Sequence, residues 1–162
     1  MIRLECAPCT SREGHAAGRK LLQGMYEACT GKPMPPITLS ETGKPFFPEG
    51  DLFFSISHTR AHVFCALSRK PVGVDAEELT RNISLSLADK ILSPQEKAQF
   101  DAADDKRMAL LTFWVLKEAQ AKYTGEGLRG YPAHTNFSLD DPRVFTQDGC
   151  LVAVIEEDDH AL

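Results

Sequence analysis

The chain has 162 residues, 43% of them apolar, and a formal net charge of −5. That is globular material, long enough for one core or two closely packed lobes, and its acidic balance argues against a nucleic-acid partner, for which a basic face is expected. No stretch approaches the roughly 20 apolar residues of a membrane span, and Met1-Ile2-Arg3-Leu4-Glu5 has no signal-peptide plan, so no membrane association and a cytoplasmic location are expected.

In chain order, residues 2–6 read as a strand. Thr10-Ser11-Arg12-Glu13 has the form of a capping box for a helix carrying Ala16, Leu21, Leu22 and Met25, stopped by Gly31 and Pro33. The five cysteines, an odd number, read as reduced thiols; Cys6-Ala7-Pro8-Cys9 has redox or zinc spacing, but no second pair answers it. A proline-rich loop leads to Gly43-Lys44-Pro45. Residues 52–56, 63–67 and 72–77 are apolar runs of strand length, and the punctuation Arg69-Lys70-Pro71 predicts a hairpin between the last two. Ser93-Pro94-Gln95-Glu96 is a second capping box with proline at the first helical position. Asp104-Asp105 open a long helix that Gly125 ends. Residues 135–139, 143–146 and 150–155 read as strands, the last two turning at Gln147-Asp148-Gly149. Helix then strands, twice over, predicts an α+β protein of two halves joined near residues 69–72.

Two stretches carry chemistry. In Val72-Gly73-Val74-Asp75-Ala76-Glu77, strand alternation sends Asp75 and Glu77 to one face, within reach of a single cation. In Trp114-Val115-Leu116-Lys117-Glu118-Ala119-Gln120-Ala121-Lys122, a helix puts Trp114, Glu118 and Lys122 on one side. Charges inside such apolar runs persist only with partners. Three carboxylates, Asp75, Glu77 and Glu118, with room for waters and a substrate oxygen, describe a magnesium site of the kind built around phosphates, which the neighbouring lysines would neutralise. The plainer readings stay open: Asp-x-Glu at a strand end is usually solvated, and Glu118 with Lys122 is also a helix-stabilising pair of about 0.3 kcal/mol.

Gly-Val-Asp-Ala-Glu followed by Trp-x-x-Lys-Glu-Ala-x-x-Lys strongly resembles the 4'-phosphopantetheinyl transferases. Gly43-Lys44-Pro45-Phe46 and Ser57-His58-Thr59 resemble further signatures of their two-lobed, surfactin-synthetase-activating type, with Thr59 keeping the hydroxyl of the usual serine. The resemblance runs from about Arg19 to about Leu139. It implies two pseudo-symmetric α/β lobes, each an antiparallel sheet packed with helices: 1–70 on the adenosine and 3'-phosphate side of coenzyme A, and 71–162 with the magnesium site and motif helix. It implies transfer of the phosphopantetheine arm of coenzyme A to a serine of an apo acyl or peptidyl carrier protein, releasing adenosine 3',5'-bisphosphate. Magnesium would sit on Asp75, Glu77 and Glu118; Glu118, Lys117 and Lys122 would be catalytic; Arg19, Lys44, Ser57, His58, Asp75 and Lys122 would contact coenzyme A. A chain with both signature sets completes one site alone, so a monomer is expected. The first half departs from the family in having little basic charge ahead of Arg19 beyond Arg3 and Arg12. The alternative is a coenzyme-A- or carrier-binding module without catalysis.

Other readings of the same residues are weaker. Ser57-His58 is no triad, because neighbours on a strand point apart and no acid is placed to orient the histidine. His58 and His62 lack a third zinc ligand. Leu128-Arg129-Gly130-Tyr131-Pro132 offers apolar, basic and aromatic side chains suited to a carrier surface, or Leu128 and Tyr131 pack beneath their own loop.

Overall fold

The computed structural model describes residues 1–126 and 135–158. The first sheet is antiparallel, in the order β1-β5-β4, from β1 (Arg3–Pro8), β4 (Phe53–His58) and β5 (His62–Ser68). Helix α1 (Gly14–Thr30) packs on it and buries Leu22 and Met25 against Phe47, Phe54, Cys65 and Leu67. Between α1 and β4, β2 (Thr38–Leu39) and β3 (Pro45–Phe46) pair as a short hairpin that carries the Gly43-Lys44 loop. The second sheet is also antiparallel, in the order β6-β8-β7, from β6 (Val72–Glu78), β7 (Val144–Gln147) and β8 (Cys150–Glu156). Before β7 come a 3-10 turn (Leu85–Leu87), α2 (Ala88–Ile91), α3 (Pro94–Ala102) and the long α4 (Lys106–Thr124). Among the described residues, no helix is long and apolar enough to cross a membrane.

Helix α4 begins where Asp105 accepts the backbone N–H of Met108 at 3.0 Å and ends at Gly125, whose φ of 74° closes the last turn. Its apolar face seals the second sheet with Leu110, Leu111, Phe113, Leu116 and Ala119. Gly73 sets how close helix and sheet come: a Cβ there would lie 2.0 Å from the backbone oxygen of Ala119, which has no freedom to move aside. A further apolar cluster, Phe64 and Ala66 with Val72, Val74, Ala76 and Val152, joins the two sheets into one body.

Three expectations are corrected. Residues 63–67 and 72–77 do not form a hairpin: both edges of β5 are taken, by β1 and β4, so β6 turns away to pair with β8. Residues 135–139 are not a strand. The side chain of Gln99 on α3 satisfies that segment instead, donating to Phe137 O at 3.0 Å and accepting from Leu139 N at 3.1 Å. Thr10–Glu13 does not form a capping box: it is a turn closed by Glu13 N to Thr10 O at 3.1 Å, and Glu13 takes the N-cap position of α1 without a side-chain capping bond. The β7–β8 turn is as expected, with Asp148 and Gly149 both at positive φ, 49° and 73°.

Ser93 and Glu96 complete their capping box on α3, and Glu96 has a second role. Its Oε1 lies 2.8 Å from Lys117 Nζ on α4, and both side chains are fully buried. The contact is an electrostatic one without hydrogen-bond alignment, and Glu96 Oε2 finds no partner among the described residues. A buried pair of this kind adds little to net stability, yet removing one member strands the other charge. Lys117→Met should therefore lower stability by about 3–5 kcal/mol in urea titration, with much of the loss recovered in the Glu96→Gln, Lys117→Met double variant. A single variant with an unchanged midpoint would show that the pair is not load-carrying for α3.

Candidate functional site

The two sheets meet along their edge strands, β4 and β6, through side chains. Ser55 Oγ accepts the Val74 N–H at 3.0 Å, and Ser57 Oγ accepts the Ala76 N–H at 3.1 Å while donating to Asp75 Oδ1 at 3.2 Å. Lys122, in the last turn of α4, supplies the complementary donors: Nζ reaches Val74 O at 3.0 Å, Ile56 O at 3.5 Å and Asp75 Oδ1 at 2.9 Å. An edge strand leaves N–H and C=O groups unpaired, and here serine hydroxyls take the donors while one ammonium takes the acceptors.

The hairpin of the first sheet closes over the same helix end. Lys44 Nζ donates to Tyr123 O at 2.9 Å, and Thr42 Oγ1 donates to Gly125 O, so a cation satisfies a carbonyl of the last turn of α4 and a hydroxyl that of its C-cap. Partial burial draws the Lys44 ammonium below the ordinary lysine range. Beneath this hairpin lies a cavity of about 310 Å³ lined by Lys44, Ser55, Glu118 and Lys122, among others. A second cleft, of about 640 Å³, is lined by Ser11, His58, Arg60, Glu77 and Arg81.

The predicted site residues thus divide. Lys44, Glu118 and Lys122 face the first cavity, and His58 and Glu77 face the second. Ser57 and Asp75 are buried in the seam, tied to Lys122. Arg19 is half-buried on α1 and lines neither opening. Lys117 is not brought to the site: one residue from Glu118 on a helix is a rotation of about 100°, which points it into the core and onto Glu96. Among the described residues, no three potential metal ligands are gathered around one point. The segment 128–132 and Gly127 lie outside the described residues.

Asp75 and Glu77 do share a face of β6, as alternation requires. Burial pushes the Asp75 carboxyl above the usual carboxylate range, against the pull of Lys122. Burial and the neighbouring Asp75 charge push Glu77 the same way, opposed by Arg81. Asp75 Oδ2 is buried with no partner among the described residues. An orphaned carboxylate oxygen beside a second carboxylate is the donor chemistry that a hard divalent cation takes.

Sequence reasoning missed Arg81. Its Nη1 bonds Glu77 Oε1, its guanidinium carbon lies 5.1 Å from the centre of the Trp114 ring, and Trp114 Nε1 donates to the same Glu77 oxygen at 3.1 Å. The i,i+4 spacing of Glu77 and Arg81 was a signal, but one ordinarily read on helices, and here a turn after β6 brings the two together. Burial pushes the Cys6 thiol up to about 12 and raises that of Cys9, which works against thiolate formation in the Cys6-x-x-Cys9 pair.

The family model of the 4'-phosphopantetheinyl transferase superfamily matches residues 71–153, half of the chain, including β6 and the motif helix. The 4'-phosphopantetheinyl transferase Sfp of Bacillus subtilis is 36% identical over 95 residues, 57% of this chain and 42% of that protein. The transferase gsp of Aneurinibacillus migulanus is 33% identical over 91 residues, 55% of this chain and 38% of that protein. HetI of Nostoc sp., also named a 4'-phosphopantetheinyl transferase, is 29% identical over 127 residues, 72% of this chain and 54% of that protein. The chain spans about two fifths of the length of the first two of these relatives. With both motifs inside the matched half and folded onto the seam of two antiparallel sheets, the chain belongs to the 4'-phosphopantetheinyl transferase superfamily.

Proposed function

We infer that the protein transfers the 4'-phosphopantetheine arm of coenzyme A to a serine of an apo acyl or peptidyl carrier protein. The observation that carries this reading is the convergence of Lys44 from the first sheet's hairpin and Glu118 and Lys122 from α4 on one cavity, with Asp75 and Ser57 directly behind it. In this reading 1–70 and 71–162 act as two lobes of a monomer, and coenzyme A lies against their seam. Lys44 and Lys122 bind its phosphates as point charges, and Ser57, His58 and Arg19 add contacts from the first lobe. A divalent cation, magnesium in this reading, would be held by Asp75 and Glu77 on β6 and would neutralise charge on the phosphates; Glu118, which faces the first cavity, would complete the set by turning toward them. The serine oxygen of the carrier attacks the β-phosphorus, the bond to adenosine 3',5'-bisphosphate breaks, and Glu118 accepts the serine proton. Lys117 contributes by fixing α4 against α3 rather than by touching the substrate.

Incubation with coenzyme A, magnesium chloride and a panel of apo carriers should add the mass of the phosphopantetheine arm to at least one carrier. Coenzyme A binding without modification of any carrier would favour the non-catalytic binding module. Glu118→Gln keeps the size of the side chain but removes the proton acceptor, so turnover should fall by about a hundredfold or more while coenzyme A binding, followed by calorimetry, survives in weakened form. A Glu118→Gln protein of normal turnover would remove Glu118 from the chemistry.

The raised Asp75 carboxyl has a measurable consequence of definite sign. The folded protein keeps a proton on Asp75 at pH values where the unfolded chain has released it, so this group's contribution to stability falls as pH rises above the ordinary carboxylate value of about 4. Asp75→Asn removes that dependence. The difference in melting temperature, Asp75→Asn minus wild type, should increase from about pH 4 toward neutrality, and a difference that decreases over this range would assign the opposite shift.

A further inference from the structure

Both carboxylates on the shared face of β6 are already engaged by protein cations. Lys122 Nζ lies 2.9 Å from Asp75 Oδ1, and Arg81 bonds Glu77 Oε1. Arg81 is not a loosely tethered surface arginine. Its own backbone N–H closes a turn onto Glu78 O at 2.8 Å, and Arg107 on the first turn of α4 donates to Leu79 O at 2.6 Å and to Arg81 O at 3.2 Å. The guanidinium then stacks on Trp114, whose indole N–H shares the same Glu77 oxygen. Both partners are largely shielded, with side chains 34% and 22% exposed, which favours a persistent pair over the weak exposed kind.

With both carboxylates ionised, as coordination of a cation requires, the charges of Asp75, Glu77, Lys122 and Arg81 cancel. A divalent cation bound to both carboxylates, with the two protein cations still in place, would leave an uncompensated double positive charge in a half-buried site, an arrangement that is costly in a low dielectric. A ligand bringing phosphate oxygens removes that cost, because the displaced ammonium and guanidinium gain new acceptors.

Resting on the proposed function above, we propose that Arg81 is a positioning residue that competes with the divalent cation for Glu77, as Lys122 competes for Asp75, and that the cation and the phosphate ligand therefore bind cooperatively. The competition makes the carboxylate pair a poor site for the ion alone and a good one for the ion with a polyphosphate ester. By reciprocity the ion tightens the ligand by the same factor. The role of Arg81 is then opposite in sign to that of a ligand: its loss improves binding of the bare ion.

The test is titration of the full chain with manganese chloride, followed through the electron paramagnetic resonance signal of free Mn(II), with and without coenzyme A and corrected for manganese held by coenzyme A itself. Coenzyme A should tighten manganese binding to the wild type by about tenfold or more. Without coenzyme A, Arg81→Gln should bind manganese about tenfold more tightly than wild type and lose most of the cooperativity, whereas Arg81→Lys, which keeps the charge, should stay near wild type. Arg81→Gln binding manganese no tighter than wild type, in a wild type that shows the coenzyme A effect, overturns the proposal while leaving the proposed function standing. Manganese bound by none of these proteins, even with coenzyme A, instead removes the metal assignment of the proposed function and this inference with it. Should Arg81→Gln lose its far-UV circular dichroism, Lys122→Gln decides: tighter manganese without coenzyme A together with weaker coenzyme A binding supports the competition, and unchanged or weaker manganese binding refutes it.

Discussion

The seam between β4 and β6 is the constraint on which the rest of this structure depends. Two antiparallel sheets present edge strands to each other, and edge backbone groups must be satisfied. Extending one ladder through both sheets would have filled the space with backbone hydrogen bonds and left nothing over for chemistry. Here Ser55, Ser57 and Lys122 do the satisfying instead. A serine used in this way keeps unspent capacity: a hydroxyl that accepts from a backbone N–H still donates its own proton, as Ser57 does to Asp75. The site is thus a by-product of how the sheets are joined.

That construction explains why architecture and chemistry share atoms. Lys122 has three donors, and all three are directed at acceptors drawn from both sheets, Ile56 O, Val74 O and Asp75 Oδ1. Lys44 likewise both satisfies the last turn of α4 and lines the cavity beside it. Gly73 and the buried Glu96–Lys117 pair fix α4 from behind, so the motif face of the helix is held from three directions before any ligand is considered.

The sequence disclosed elements whose signals are local and lost those decided by competition between elements. Helix α4, with its Asp105 cap and Gly125 stop, was legible because capping and periodicity act within a few residues. The β7–β8 turn was legible because Asp148-Gly149 admits few backbone conformations. The false hairpin between residues 63–67 and 72–77 came from the same local logic: nothing in that stretch reveals that β1 will already occupy the free edge of β5. Residues 135–139 had the composition of a strand, and only the folded position of Gln99 shows that an amide side chain satisfies them.

The site was legible to the same extent and for the same reason. Alternation put Asp75 and Glu77 on one face, and helical spacing put Glu118 and Lys122 together, both consequences of short-range geometry. The motif sets Lys117 beside Glu118, whereas one helical step turns its side chain into the core, where a capping-box glutamate from another helix meets it. Arg81 was missed because its importance is relational: a turn after β6 brings it back on Glu77, Arg107 holds that turn, and Trp114 from α4 supplies the stacking face. Charges that sit in apolar surroundings are visible in a sequence; which opposite charge each one meets is decided by the fold. At this seam the pairing sets the sign of a residue's effect, since a cation resting on a carboxylate opposes an ion that would bind the same carboxylate and assists a phosphate that would take the ion's place beside it.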